Sequence, residues 1–302
     1  MDYVNPKELV QDALMVAEKK ASLTVSDMLI RGTLSGEFLG FATSLAVVVT
    51  AQGLPTIVGA ILFPVGFVML VLLGLELATG NFAVLPMAVA AGKVSYGGLL
   101  RNWGWVYAGN LIGSLLYAIL FYVAVTNAGM TSSGAVGDLL KSAAQKKTLA
   151  YMALGSKGWI AAFIKGILCN WMVTIGALLA LVSRSTVGKV VAMWLPILTF
   201  FAQGFEHSIV NMFVIPVGMM FGAPVSIRDW LFWNQLPVTL GNIFAGAFLT
   251  GLALYTTYAE KHPATSEGPV VEAPNALEAA YTEKVLERKK ITAVTNRKIA
   301  LE

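Results

Sequence analysis

The chain has 302 residues, of which 57% are apolar and 13% charged, with a formal net charge of +4 and a mean hydropathy of +0.71. That is about half the charged share of a soluble domain, which excludes a cytosolic enzyme and a disordered chain, and the charge is too small and scattered for a nucleic-acid-binding surface. One cysteine, Cys169, and two histidines, His207 and His262, exclude an intrachain disulfide framework and a His- or Cys-rich metal cage.

The opening MDYVNPKELVQDALMVAEKK has no apolar run of the kind a cleavable signal peptide needs, so none is expected. It reads as a helix with Asn5 as N-cap, Pro6 at N1 and Glu8 at N3. Leu9, Val10, Ala13, Leu14 and Ala17 mark one face, so residues 1–31 are expected to hold an amphipathic helix on the cytoplasmic membrane surface. A span of a ~30 Å bilayer core takes about 20 apolar residues, and six such stretches follow. They lie near Gly32–Val49, Pro55–Gly80, Trp103–Val125, Trp159–Val182, Val190–Phe221 and Leu231–Tyr258. The second and fifth carry polar residues and prolines, which predicts interrupted helices. Residues 127–157 are read as an external loop and 259–302 as a cytoplasmic charged tail; the last 44 residues hold 14 of the 38 charged side chains. With the N-terminus inside, fifteen Lys and Arg fall on the inner side and five on the outer. Even without the tail the ratio is eight to five, so both termini are expected in the cytoplasm of a multi-pass cell-membrane protein.

The chain also repeats itself. Glu76–Pro86 (ELATGNFAVLP) aligns without gaps on Glu206–Pro216 (EHSIVNMFVIP), matching Glu76 with Glu206, Asn81 with Asn211 and Pro86 with Pro216. Arg31-Gly32 aligns with Lys165-Gly166, and Gly109-Asn110 with Gly241-Asn242, in the same order and at nearly the same offset. Each half then holds three spans, residues 32–126 and 158–258. Three is odd, so the second half must enter from the opposite side, giving an all-α membrane protein built as a 3+3 inverted repeat. The two Glu…Asn…Pro segments fall at the two interrupted helices, where unpaired backbone is tolerable only beside protein or water. They are expected to meet near the midplane and line a pathway. An aquaporin would share this halved protomer but would need Asn-Pro-Ala loops, which neither break has.

GFEHSIVNMFVIPVG (Gly204–Gly218), KGILCNW (Lys165–Trp171), LPVTLGN (Leu236–Asn242) and the NPKEL start together resemble the formate/nitrite transporter family over about residues 5–258. The resemblance implies a homopentamer with one pore per protomer, no cofactor, and small monovalent weak-acid anions as permeants, formate first, with nitrite and hydrosulfide as alternatives.

His207 sits at the second break, and an imidazole is the side chain best suited to exchange a proton near neutrality. Its plainer reading is a histidine bonded to backbone at the break; the resemblance makes it the central pore histidine. Thr79, in the first break, either donates to an anion or to His207, or bonds back to its own helix. The resemblance places Thr79 and Asn170 in the pore, and Phe63, Phe67, Leu77, Val173 and Phe200 at two hydrophobic constrictions flanking the histidine. Glu206 stands beside His207. Lys165 and its repeat partner Arg31 are candidates for gathering anions at opposite mouths, against snorkelling or pairing with Glu37, Glu76 or Glu206. Lys157 is a second candidate at the outer mouth. Gly32, Gly36 and Gly40 form a small-residue ridge for close helix packing.

Overall fold

The computed structural model describes residues 2–259; the tail reading falls outside them. Eleven helices follow one another among the described residues, with no strand beyond a single antiparallel bridge between Tyr3 and Ser183. They are α1 (Pro6–Ala21), α2 (Val25–Ala51), α3 (Thr56–Leu72), α4 (Ala78–Ala90), α5 (Tyr96–Val125), α6 (Gly134–Lys147), α7 (Leu149–Ala153), α8 (Ser156–Leu179), α9 (Thr186–Ala202), α10 (Ser208–Met220) and α11 (Ile227–Tyr258). By length and composition α2, α5, α8 and α11 can each cross a membrane; α3, α4, α9 and α10 are shorter apolar helices. Phe41, Ile112, Leu120, Leu195 and Phe248 are exposed on these helices, as a lipid-facing surface requires and a water-facing one would not tolerate in such numbers.

The helix starts follow local chemistry. The Asn5 side chain accepts from Lys7 and Glu8 backbone N–H, and Ser95, Ser185 and Thr24 cap α5, α9 and α2 in the same way. Val10, Ala13, Leu14 and Ala17 of α1 are buried, but against Val84, Leu85, Ala88, Leu99 and Leu178 of the protein itself. The apolar face that the sequence assigns to a membrane surface is thus covered by other helices. The stretch read as an external loop holds α6 and α7. Leu140 and Ala144 of α6 are fully buried against α10, an apolar signal too short to read as a span.

The Gly32/Gly36/Gly40 ridge packs on α5. A Cβ at Gly36 would run into the Asn110 carbonyl and Ser114, and one at Gly32 would lie 3.0 Å from the Val106 carbonyl. Gly109 and Gly113 answer from α5, meeting Leu29, Gly32 and Thr33. The two helices therefore touch backbone to backbone, which positions Asn110 against the first break.

Candidate pore and its two helix breaks

Both interruptions are built by the same local device. The helices end at Leu72 and Ala202, and glycines in the left-handed region follow, Gly74 at φ +65° and Gly204 at φ +68°. Leu75 N–H donates to Leu70 O at 2.9 Å and Gly74 N–H to Val71 O at 3.0 Å; Phe205 to Phe200 (3.3 Å) and Gly204 to Phe201 (3.0 Å) repeat the pattern. This is a Schellman ending, in which only glycine takes the left-handed position without strain. Leu77 (φ −119°, ψ 118°) and His207 (φ −105°, ψ 119°) are extended, and the chain re-enters helices α4 and α10 immediately after them.

A backbone that leaves a helix inside an apolar medium must find new partners. Here two asparagines supply them. Asn110 Oδ1 accepts from Ala78 N–H at 2.9 Å, while its Nδ2 donates to Gly32 O (2.8 Å) and Glu76 O (2.9 Å). Asn242 does the same at the second break: Oδ1 accepts from Ser208 N–H at 2.9 Å, and Nδ2 donates to Gly166 O (2.8 Å) and Glu206 O (3.1 Å). The Arg31 and Lys165 carbonyls accept from the Glu76 and Glu206 N–H groups (3.4 and 3.3 Å).

The two carboxylates are equally matched. Glu76 takes the Lys20 ammonium at 2.8 Å and the Asn81 amide at 2.8 Å; Asn81 also donates to Asn102 Oδ1, and Asn102 donates to Lys20 O. Glu206 takes Lys147 at 2.8 Å and Asn211 at 2.8 Å; Asn211 donates to Asn234, and Asn234 to Lys147 O. Both glutamate side chains are 3% exposed, and the lysines 20% and 21%. One difference is that Glu206 Oε1 accepts from the Tyr151 hydroxyl at 2.9 Å, whereas Glu76 Oε1 has the lysine.

His207 points away from this network. Its Nδ1 accepts from Val210 N–H at 3.2 Å, capping α10, and its Nε2 lies 3.1 Å from Thr79 Oγ1, 128 positions away in the chain. With Nδ1 an acceptor, the neutral ring carries its proton on Nε2 and donates it to Thr79. The Thr79 hydroxyl proton is then free for another acceptor. Asn170 Nδ2 donates to Thr79 O (3.1 Å) and Asn242 O (2.6 Å), and its buried Oδ1 has no partner among the described residues.

One apolar ring, that of Phe200, stands against the imidazole. Phe63, Phe67, Leu77, Val173 and Phe200 are all buried in one cluster. The Phe200 ring lies 5.8 Å from the imidazole, Phe63 packs edge-on against Phe200 at 5.8 Å, and Phe63 stacks on Phe201 at 3.8 Å. Phe67 and Leu77 form part of the wall of a cavity of about 610 Å³, which Lys19, Lys20, Arg31 and Glu76 also line. Arg31 lies 3.5 Å from Asp27. Lys165 stands 5.5 Å from the Tyr151 ring centroid, and Lys157 is exposed with no ion pair among the described residues. Neither is the ammonium that meets a break carboxylate; Lys20 and Lys147 are. Neither Lys20 nor Lys147 stands out in the sequence, although each closes a helix with a Lys-Lys pair, a second instance of the repeat. Nor do Asn102 and Asn234 stand out, at the same 132-residue offset as Asn110 and Asn242. Among the described residues no three His, Cys, Asp or Glu side chains stand close enough to share a metal ion.

A family model described as "Formate/nitrite transporter" matches residues 7–256. A probable formate transporter of Methanothermobacter thermautotrophicus is 34% identical over 273 residues, covering 85% of this chain and 97% of the relative. Formate channel FocA of Escherichia coli K12 is 33% identical over 225 residues, 68% of this chain and 75% of the relative. A solved pentameric formate channel with formate bound superimposes with a TM-score of 0.64 at 28% identity, covering 78% of this chain and 97% of that one.

Proposed function

The chain belongs to the formate/nitrite transporter family, and on that premise we propose that it carries formate, together with a proton, through a pore in each protomer of a cell-membrane homopentamer. In this reading α2, α3/α4 and α5 form one three-span half, and α8, α9/α10 and α11 form its inverted copy. The second and fifth spans are the broken ones, as in an aquaporin-like protomer, and both termini are cytoplasmic. The matched asparagine and glutamate–lysine networks at the two breaks support the inversion. The bound formate of the pentameric relative supports substrate and assembly.

The observation that carries the reading is the His207–Thr79 contact, a polar pair that joins the two breaks beside the Phe200 ring. The lysines and Arg31 around the 610 Å³ cavity raise the local concentration of anions. Phe67 and Leu77 bring apolar side chains to the cavity wall, and an ionised carboxylate pays far more than the neutral acid to enter an apolar stretch. That difference couples the anion to a proton. Within the apolar stretch Thr79 offers a hydroxyl donor, held and polarised by His207 Nε2–H. Asn170 Oδ1, without a partner among the described residues, accepts the O–H of the neutral acid. Charging the imidazole would place a proton on Nδ1 and break the cap on Val210 N–H, so His207 acts here as a neutral donor rather than a standing cation.

The test is formate flux into proteoliposomes with and without an inward proton gradient. His207→Asn and His207→Phe are expected to abolish the gradient-driven component. Unchanged flux and pH dependence in both variants would end the proposal. The same assay run with nitrite and hydrosulfide ranks the permeants.

A further inference from the structure

A second concavity lies apart from the breaks. Between α5 and α11 a groove of about 910 Å³ runs open to the surface, walled by Trp103, Gly104, Tyr107, Leu231, Phe232 and Ile243, with Arg228 also lining it. Its polar atoms are already used. The Tyr107 hydroxyl accepts from Gln235 Nε2 at 2.6 Å and lies 2.7 Å from Thr239 Oγ1; Trp103 Nε1 donates to Asn81 O at 3.2 Å; Trp230 Nε1 donates to Gln235 Oε1 at 3.1 Å. The groove therefore offers a ligand apolar surface and one charge. That charge is uncommitted: Arg228 is exposed and forms no ion pair among the described residues. Its neighbour Asp229 is engaged in capping Ser226, accepting from the hydroxyl at 2.6 Å and the N–H at 3.1 Å.

We infer that this groove holds a membrane phospholipid, with its phosphate on the Arg228 guanidinium and an acyl chain laid along the Trp103–Ile243 walls. The charge pattern selects this occupant. A guanidinium matches a phosphate in shape and charge, and an apolar trough satisfied at every polar atom suits hydrocarbon and repels a water-soluble ligand. The dimensions agree. Arg228 and Ile243 are fifteen residues apart on one helix, about 22 Å at 1.5 Å per residue, which exceeds half of a ~30 Å hydrocarbon core. A lipid seated there would brace α5 against α11 beside the Tyr107–Thr239 contact.

Gly104 gives the test a clean handle. A Cβ built on it meets no atom within 4 Å, so Gly104→Leu fills the groove without straining the helix. The full chain is purified in mild detergent, and phosphatidylglycerol bound per protomer is counted by native mass spectrometry. Wild type should retain one molecule per protomer, Arg228→Gln at least fivefold less, and Gly104→Leu none. A second measurement uses unmodified protein: in vesicles of acyl-brominated phosphatidylglycerol its tryptophan emission should be quenched, and Trp103→Phe should remove a quenched component. Equal lipid counts in the three proteins, or quenching that Trp103→Phe leaves untouched, would overturn the assignment. So would a lipid-free wild type whose assembly falls apart in Gly104→Leu, since that result gives the groove to a second copy of the chain. Lipid counting does not depend on what the protein conducts, so it stands or falls separately from the formate proposal.

Discussion

Removing the Lys147 ammonium is the most direct probe of the second break. Glu206 is 3% exposed and Lys147 21%, with 2.8 Å between them. Breaking a buried pair by deleting one partner leaves an uncompensated charge and costs about 3–5 kcal/mol. Two features place Lys147→Met near the lower bound. The carboxylate keeps the Tyr151 hydroxyl and the Asn211 and Asn234 amides, and the lysine was already a fifth exposed. A cost of about 3 kcal/mol is expected. Glu206→Gln leaves an ammonium that can turn to water, and should cost about 1–2 kcal/mol. In the double variant the two costs should fall short of their sum by about 2 kcal/mol, because the stranded charge is gone. The first break sharpens the comparison. Among the described residues Glu76 has no tyrosine, and Lys20 is the one donor to its Oε1, so Lys20→Met should cost at least as much as Lys147→Met. Unfolding free energies in mixed micelles measure all four variants. Additive costs, or less than about 0.5 kcal/mol for Lys147→Met, would mean that the pair carries no charge worth compensating.

Three further outcomes are expected. Asn242→Ala strands the Ser208 N–H and two carbonyls and should destabilise by about 3 kcal/mol or more, at roughly 1–3 kcal/mol per buried group left unmade; formate flux and micelle unfolding check it together. Gly36→Ala drives a methyl into the Asn110 carbonyl and Ser114 and should cost about 1–3 kcal/mol, whereas Gly104→Ala, which meets nothing, should be near neutral. At the N-terminus the Asp2 carboxylate accepts from the Ser183 hydroxyl and the Ser185 and Arg184 N–H groups, which hold its pKa below the ordinary aspartate value. A folded-state pKa below the unfolded one means that the clasp contributes fully above the unfolded value and is lost as pH falls through the depressed one. Limited proteolysis of the N-terminal segment should therefore accelerate only below about pH 4, and Asp2→Ala should show that acid-state rate at neutral pH.

Much of this architecture is legible in the sequence, and the parts that are not share a physical cause. Asn5 and Pro6 announce α1 because capping is local. The Glu…Asn…Pro repeat announces both breaks because each half-helix carries its own punctuation. Pairings across the chain announce nothing. Lys20 and Glu76 are 56 residues apart, and Lys147 and Glu206 are 59 apart. A Lys-Lys ending reads equally well as a helix snorkelling to headgroups. Helix α6 was hidden for a related reason: it buries Leu140 and Ala144 against α10 but is too short and too charged to register as a span. The apolar face of α1 is plain in the sequence, yet no periodicity says whether lipid or protein will cover it.

The two breaks are alike in nearly everything that holds them, the Tyr151 hydroxyl on Glu206 excepted, and their sequences part just before the re-entrant helices. Glycine endings, asparagine clamps and glutamate–lysine pairs recur at both, so these groups answer the common problem of a helix interrupted in a dry medium. At the position just before the re-entrant helix the copies diverge: Leu77 in one, His207 in the other. The next two positions diverge as well, Ala78 against Ser208 and Thr79 against Ile209, and the Thr79 hydroxyl of one break meets the His207 imidazole of the other. Two histidines there would leave buried imidazoles competing for one proton and one space. Two leucines would leave a dry plug with no donor for a carboxylate. One histidine facing one threonine instead gives a hydrogen-bonded pair shared between the two breaks, which on the proposed function is where a small acid would be received.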